Sequence, residues 1–187
     1  MRTPLLLALL LAAPHASAAD AIDYRLLATR KTSTLERELN DAARDGFRFE
    51  AVMGGTTATA GNEGVVVMSK RSGDSRGRTF YKLLATSRTS TMQKEMQMAG
   101  DEGFEYRGQT VFESAFGGRE VCVILERDPA KPPQRFEYRL LATQRTSTME
   151  KELREAGAQG FELLGMTVGK TAMGGNEIVC ILRRVRD

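Results

Sequence analysis

The sequence contains no tryptophan, one histidine and two cysteines among its 187 residues. Two cysteines are too few for a disulfide-rich miniprotein, and 41% hydrophobic residues are too many for a disordered chain. The apolar runs are too short for a protein with several membrane-spanning helices. Lysine and arginine (27) nearly balance aspartate and glutamate (24), without a basic stripe, so we expect no nucleic acid partner.

Residues 1–19 have the pattern of a secretory signal peptide. Arg2 precedes an apolar run from Leu5 to Ala13, and Pro14 and the small residues Ala16-Ser17-Ala18 follow it. This run is shorter than the ~20 residues that a helix needs to cross a bilayer, so we expect no membrane span after cleavage. The pattern predicts export to a bacterial periplasm or to the outside of the cell.

Cleavage would remove the only histidine, His15. A chain without histidine cannot form a Ser-His-Asp or Cys-His arrangement or a His-ligated metal site. The sequence has no other catalytic or cofactor-binding motif. We therefore expect no catalytic residue, no metal and no cofactor, which favours a protein that is not an enzyme.

One unit occurs three times along the chain. Tyr24-Arg-Leu-Leu-Ala-Thr, Tyr81-Lys-Leu-Leu-Ala-Thr and Tyr138-Arg-Leu-Leu-Ala-Thr begin stretches that align without gaps over 47 positions, and fifteen of these positions are identical in all copies. Such self-similarity indicates tandem duplication. The predicted organisation is residues 20–71, 80–127 and 136–187 as repeats, residues 72–79 as a Gly/Ser-rich linker and residues 128–135 as a Pro-rich linker.

Each copy has the pattern of a β-α-β-β unit. A strand beginning at the tyrosine precedes a helix with an apolar stripe at i, i+4 and i+7. The pattern Ser-x-x-Glu/Gln at the helix start predicts a capping box, and a glycine just after the helix predicts a left-handed stop. The capping pairs are Ser33 with Glu36, Ser90 with Gln93 and Ser147 with Glu150, and the stop glycines are Gly46, Gly103 and Gly160.

The last strand of each copy is apolar without interruption, as in Val65-Val66-Val67-Met68. A continuous apolar run is typical of a strand that is covered on both faces. A unit of about 50 residues buries too little surface to be stable alone. We therefore predict an α+β fold of three tandem β-α-β-β repeats, each a small, mainly antiparallel sheet with one helix, packed back to back in a pseudo-threefold arrangement. Three separate lobes, or sheets covered by another chain, are the alternatives.

The third copy resembles the DUF4177 family in Phe136-Glu-Tyr-Arg-Leu-Leu, in Met149-Glu-Lys-Glu-Leu-Arg-Glu-Ala-Gly-Ala-Gln-Gly-Phe-Glu-Leu-Leu and in Ile178-Val-Cys-Ile-Leu-Arg-Arg. The other copies share the resemblance. It implies a short β-α-β-β domain and, because the family has no assigned activity, it implies no functional residue. Phenylalanine stands where the family has tryptophan, at positions 47, 104 and 161.

The loop before each helix is a candidate anion site. A cation, hydroxyl groups and free helix amides occur together there, which suits a carboxylate, sulfate or phosphate. The alternative is that the hydroxyl residues only cap the helix. The candidate residues are Lys31, Ser33 and Thr34 in the first copy, Arg88, Ser90 and Thr91 in the second, and Arg145, Ser147 and Thr148 in the third.

A glutamate precedes the last strand of every copy, at Glu63, Glu120 and Glu177. If a threefold axis brought the three together, they could bind Ca²⁺ or act in acid–base chemistry. The alternative is that each one pairs with a nearby cation or lies in water.

The two cysteines, Cys122 and Cys180, occupy adjacent register positions on equivalent strands. Neighbouring residues of a strand point to opposite faces, so one thiol should face its helix and the other the core between repeats. We therefore expect two buried thiols and no disulfide.

These features favour an exported, non-enzymatic binding or interaction module, with its contact edge at the varied loops 54–60, 111–117 and 168–174. The alternative is a small-anion binder or an enzyme that combines the helix N-terminal loops with the repeated glutamates. A homo-oligomer is a third possibility. The expected partner is a protein or a small anionic ligand.

Overall fold

A computed structural model of the chain describes residues 21–57, 61–74, 78–113, 119–170 and 175–186. It confirms the α+β class and the three tandem β-α-β-β units. The first unit contains β1 (Ile22–Thr29), α1 (Thr32–Arg44), β2 (Arg48–Thr57) and β3 (Gly61–Arg71); the second contains β4 (Phe80–Thr86), α2 (Thr89–Asp101), β5 (Glu105–Glu113) and β6 (Arg119–Arg127); the third contains β7 (Arg135–Thr143), α3 (Thr146–Ala158), β8 (Glu162–Lys170) and β9 (Asn176–Arg186).

Each unit forms its own antiparallel three-stranded sheet, with the last strand in the centre. The strand orders are β1-β3-β2, β4-β6-β5 and β7-β9-β8. In β6 and β9 the continuous apolar run agrees with coverage of both faces, because one face lies under the unit's own helix and the other lies in the core of the preceding unit. The register shifts by one residue at the same place in every sheet, just after Phe49, Tyr106 and Leu163.

The helices begin one residue before the predicted Ser position, so the predicted capping box is wrong. Lys31, Arg88 and Arg145 are the N-cap residues, and none of the three helices has a side-chain cap. Instead, a threonine at the end of the preceding strand accepts from the N-cap amide, as Thr29 does from Lys31 at 3.2 Å. The predicted helix stops are confirmed, because Gly46, Gly103 and Gly160 have φ of +90°, +82° and +80°.

Each helix lies on one face of its own sheet, which we call the front of the unit; the opposite face of the sheet is the back. The apolar stripe of α1, Leu35, Leu39 and Ala42, is buried on this face. The phenylalanines that stand where the DUF4177 family has tryptophan are buried and lie beneath a cation from the first strand, as Phe47 does with Arg25 at 4.0 Å. The front therefore closes one core per unit.

The units stack front to back along the chain. The outer side of α1 contacts β4, and β2 contacts β5; the same pair of contacts recurs between α2 and β7 and between β5 and β8. Tyr81 and Ile124 on the back of the second sheet belong to the core of the first unit, together with Leu39. Tyr138 and Ile181 join the core of the second unit in the same way. The back of each sheet thus completes the core of the preceding unit.

This stack is serial, which differs from back-to-back packing around an axis. Closure into a ring would require α3 to contact β1 as extensively as α1 contacts β4, and α3 and β1 make no contact of that extent in the described residues. Tyr24 and Leu26 on the back of the first sheet are 63% and 65% exposed, whereas Tyr81 and Tyr138 are 4% and 2% exposed. Front-to-back contact between three units forms two junctions. It leaves the back of the first sheet and the front of the third unit without a neighbouring unit, which accounts for the exposure of Tyr24 and Leu26.

The predicted contact loops are shorter than the sequence suggested. Strand pairing continues through Thr57, Glu113 and Lys170, so the first residues of each predicted loop belong to a strand. Residues 58–60, 114–118 and 171–174 lie outside the described residues, and so does the predicted signal peptide, 1–19. In the part of the chain that the structure describes, no helix is both long and apolar enough to span a membrane.

Candidate functional site

The three helix N-terminal loops occupy separate places in the stack. The loop with Lys31 lies over a pocket of about 10 Å³ at the first junction, and the loop with Arg88 over one of about 20 Å³ at the second junction. Such volumes hold about one water molecule, which is too little for a phosphate or sulfate. The third loop, with Arg145, belongs to the last unit and its cation is exposed. The pockets at these loops give no support to the predicted anion site.

The repeated glutamates do not form a metal site, because no group of three acidic, cysteine or histidine side chains among the described residues could hold a metal ion. Glu63 lies on β3, Glu120 on β6 and Glu177 on β9, each in a different sheet. Glu177 lines the small pocket that also contains Arg88 of the preceding unit. Serial stacking separates these side chains by successive layers, which accounts for the missing cluster.

Both cysteines are free and buried, on opposite faces of their sheets. Cys122 lines the apolar pocket at the first junction, and Cys180 belongs to the core beneath α3. Burial, with a smaller contribution from the charge of Glu120, raises the pKa of Cys122 to about 12. Burial also raises the pKa of Cys180. Neither thiol is a thiolate nucleophile at neutral pH.

A polar network lies at the junction of the first two units. The hydroxyl of Tyr81 donates to Glu126 at 2.7 Å and accepts from the backbone amide of Phe49 at 2.9 Å. Arg107 donates to the same carboxylate at 2.8 Å. A buried carboxylate is stable only when it is paired and hydrogen-bonded, and Glu126 has both kinds of partner. Tyr81 of the second unit therefore links the backbone of the first unit to the Glu126 carboxylate of its own unit.

This network forms one wall of a polar cleft of about 470 Å³ between the first two units. Arg48 on β2 and Asp128 in the Pro-rich linker form an ion pair at 3.4 Å, with both side chains about nine-tenths buried. Ser69 donates a hydrogen bond to Glu50 on the same wall. The cationic side chains that line the cleft are Arg48, Arg71, Arg107 and Lys131, and the acidic ones are Glu50, Glu126 and Asp128.

A second cavity, of about 1120 Å³, continues from this cleft beneath the Pro-rich linker. Its lining includes Glu126, Asp128 and Lys131, which also line the cleft. Pro132 and Pro133 of the linker form part of the cavity wall. Proline fixes the backbone angle φ, so this part of the wall is stiff.

The junction of the second and third units has the same tyrosine in a different charge setting. Tyr138 donates to the carbonyl of Phe104 at 2.9 Å and accepts from the amide of Tyr106 at 2.8 Å. Arg183 donates to Glu105 at 2.9 Å. Burial alone would raise the pKa of Glu105, but the bond from Arg183 and the charge of Arg107 hold it below its usual value. This carboxylate is therefore ionised at neutral pH.

The buried phenols at the junctions are protonated at neutral pH. Burial, followed by the charge of Glu126, raises the pKa of Tyr81. Burial raises the pKa of Tyr138 and of Tyr106 to about 12. A group that loses its proton only above pH 10 is a poor general base near neutrality. These tyrosines can hold backbone and carboxylate groups, but they supply no basic oxygen for catalysis.

Sequence reasoning missed the cleft because it treated the copies as equivalent. The cleft residues occupy positions where the copies differ in charge: Arg48 aligns with Glu105 and Glu162, and Asp128 with Arg71 and Val185. Charge variation at the ends of the second and third strands was the available signal. The alignment does not show which of these charged residues meet, because that depends on how the units stack.

In comparisons with known proteins, the chain matches no family model, no curated protein and no solved structure. The resemblance to the DUF4177 family therefore stays a prediction. The observed β-α-β-β unit agrees with the fold which that resemblance implies.

Proposed function

We propose that the protein is an exported, non-enzymatic binding module that holds a small anionic ligand in the polar cleft between its first and second units. The ligand would carry a carboxylate or a phosphate. Export rests on the signal-peptide pattern of residues 1–19. The absence of catalysis is supported by the two buried thiols and by the buried phenols at the junctions, all of which are protonated at neutral pH.

The observation that carries the proposal is how the charged side chains of the cleft are paired with one another. Its acidic side chains already accept hydrogen bonds: Glu126 from Tyr81 and Arg107, and Asp128 from Arg48. Arg107 contacts both Glu126 at 2.8 Å and Glu105 at 3.4 Å, and its guanidinium, with five N–H donors, keeps further donors. Lys131 pairs with Glu105 at 3.7 Å, but its side chain is 59% exposed, and Arg71 is also exposed. Exposed cations with spare donors, beside carboxylates that are already paired, favour an anion over a cation.

The place of the cleft supports the proposal as well. Its walls come from two different units, so a single copy of the repeat could not form it. Pairing by charged hydrogen bonds positions Arg48 and Arg107 without side-chain reorganisation on binding. A preorganised site costs less conformational entropy when the ligand binds.

The test is calorimetric titration of the purified protein with inorganic phosphate, sulfate and citrate. A double variant, Arg71→Gln with Lys131→Gln, should weaken binding by about 10-fold or more, because two exposed cations are lost. Lys94→Gln removes an exposed cation of α2 that lies outside the cleft lining and should leave affinity unchanged.

Two results would contradict the proposal. One is the absence of anion binding at millimolar concentrations. The other is binding that survives the double variant but is lost in Arg88→Gln, which would favour the helix N-terminal loops and the repeated glutamates, the alternative that the sequence left open. Turnover of a substrate by the purified protein would contradict the non-enzymatic part.

A further inference from the structure

The two ends of the stack expose the faces that are buried at its junctions. Six of the eight exposed large hydrophobic side chains in the described residues lie on these ends. The back of the first sheet, which we call the back end, carries Tyr24, Leu26 and Met53. The front of the third unit, which we call the front end, carries Leu163, Met166 and Val168 on β8, beside the outer side of α3. Clustered apolar exposure of this kind marks an interaction surface.

We infer that the front end of one molecule docks on the back end of a second copy of the chain, repeating between molecules the junction that occurs twice within each molecule. A second copy of the chain is the expected partner because the same two kinds of surface already meet within each molecule. Within the chain, a front always meets a back, and the back end is the only sheet back in the described residues without a preceding front.

Main-chain groups can form the same bonds at the new junction. The hydroxyls of Tyr81 and Tyr138 accept from the amides of Phe49 and Tyr106. Leu163 aligns with these two residues and Tyr24 aligns with the two tyrosines, so Tyr24 would accept from the amide of Leu163 of the second copy. Because the donor is a backbone amide, the side-chain difference at position 163 does not matter.

Edge-strand groups have matching acceptors as well. β4 is an edge strand, and the carboxylate of Glu36 on α1 accepts from its Leu83 amide at 2.8 Å. Glu150 on α3 aligns with Glu36 and keeps the carboxylate, and Leu26 on β1 aligns with Leu83. An edge strand with free amides is a place where another chain binds. The pair Glu150 and Leu26 would therefore repeat the bond between copies.

The charges at the two ends are complementary. At the first junction Arg48 pairs with Asp128. The aligned residues are Glu162 at the start of β8 and Arg71, a cleft-lining residue at the end of β3, so the acidic and the basic residue exchange places and would still attract each other. Complementary charges fix the register of an interface.

The contact is heterologous, because two different surfaces meet. Every molecule keeps one unused end after binding, so association continues until the assembly closes into a ring or grows as a filament. This property gives the interface a distinctive test.

The test uses two variants of the full chain, each with one end blocked. Tyr24→Lys with Leu26→Lys blocks the back end, and Leu163→Lys with Met166→Lys blocks the front end. Both pairs are solvent-exposed, so the monomer should fold. Each variant alone should be monomeric by light scattering, with self-association weakened by about 100-fold or more. Their equimolar mixture should form a one-to-one dimer, because the unchanged front end of one variant can dock on the unchanged back end of the other. The dimer should grow no further, since both of its remaining ends are blocked.

Met98→Lys is the matched control. Met98 is an exposed methionine of α2 that lies on neither end, and the aligned residues are Asp41 and Glu155. This variant should assemble as the unchanged protein does.

Three results would overturn the inference: an unchanged protein that is monomeric up to millimolar concentration, assembly that persists in both blocked variants, or a mixture that stays monomeric. A marked loss of monomer stability in the back-end variant would show instead that another part of the same chain covers that face. Anion binding is read separately, since neither variant changes a residue of the cleft lining.

Discussion

The second and third units contain the same elements, but different neighbours cover their helices. The outer side of α2 lies against β7, and Gln93 on that side bridges two backbone groups of the strand, the carbonyl of Tyr138 at 2.8 Å and the amide of Leu140 at 2.7 Å. The outer side of α3 faces solvent, and its Glu150 pairs with Arg154 of the same helix. Position in the stack, and not the unit itself, decides what a residue contributes. Stacked repeats behave in this way because each contacts only its neighbours.

The largest difference in stability effect between the second and third units should come from one glycine position. A Cβ on Gly100 would lie 2.5 Å from the carbonyl oxygen of Phe136, whereas Gly157 has open space at the aligned place. Gly100→Ala should lower the free energy of unfolding by about 2–3 kcal/mol through overpacking. Gly157→Ala should raise it by about 0.5–1 kcal/mol, because alanine favours a helix. Urea unfolding of both variants at a concentration where the protein is monomeric gives the comparison. Equal signs would mean that the α2–β7 contact does not form.

A smaller contrast is expected for the tyrosines. Tyr138→Phe leaves the amide of Tyr106 and the carbonyl of Phe104 without their partner and should cost about 2 kcal/mol. Tyr24→Phe removes an exposed hydroxyl from the monomer and should change stability by less than about 0.5 kcal/mol. Thermal unfolding of dilute protein measures both. If the two variants are equally stable, Tyr138 is not at a buried junction.

The glutamine that bridges the edge strand should have an intermediate effect. Gln93→Ala removes both bonds to β7 and should lower the free energy of unfolding by about 1–2 kcal/mol. Glu150→Ala, its counterpart on α3, loses only an exposed pair with Arg154, for which about 0.5 kcal/mol or less is expected. Native-state hydrogen exchange adds a local readout: the amide of Leu140 should exchange faster in Gln93→Ala and at the normal rate in Glu150→Ala.

The smallest effect concerns a thiol at alkaline pH. Cys122 has a pKa of about 12 in the folded protein, above its usual value of 9.0. Between these values the unfolded chain releases the proton and the folded chain keeps it, so stability falls as pH rises above about 9. Cys122→Val, which places the residue found at the aligned positions 65 and 179, should reduce this fall by about 1 kcal/mol at pH 10. An unchanged alkaline slope would indicate that the thiol is not buried in solution.

Local sequence patterns predicted most of the fold. Three ungapped copies predicted three equal units, and the stop glycines predicted the helix ends, because only glycine adopts a positive φ without strain. The helix starts were not predicted, because Glu36 and Gln93 could serve either a capping box or a neighbouring strand. The bond to Leu83 at 2.8 Å and that to Leu140 at 2.7 Å show which use prevails.

The candidate site was less accessible to sequence reasoning. An anion site was predicted at the loops with Lys31 and Arg88 because a cation precedes hydroxyl residues there. In the structure these loops lie over small apolar pockets. The cleft around Arg107 and Glu126 combines residues about 20 to 80 positions apart, among them Arg48 and Asp128. No local pattern connects such residues.

The sequence by itself determined the repeat, its β-α-β-β order and the two faces of every sheet, because periodicity and glycine positions act within a few residues. Only the tertiary structure decided that a back meets the preceding front. The apolar pattern demands a cover for each face but carries no information about which surface provides it. That choice depends on shape and on long-range pairs such as Tyr81 with Glu126. It also decides which copies of one residue are buried and which remain open at the ends.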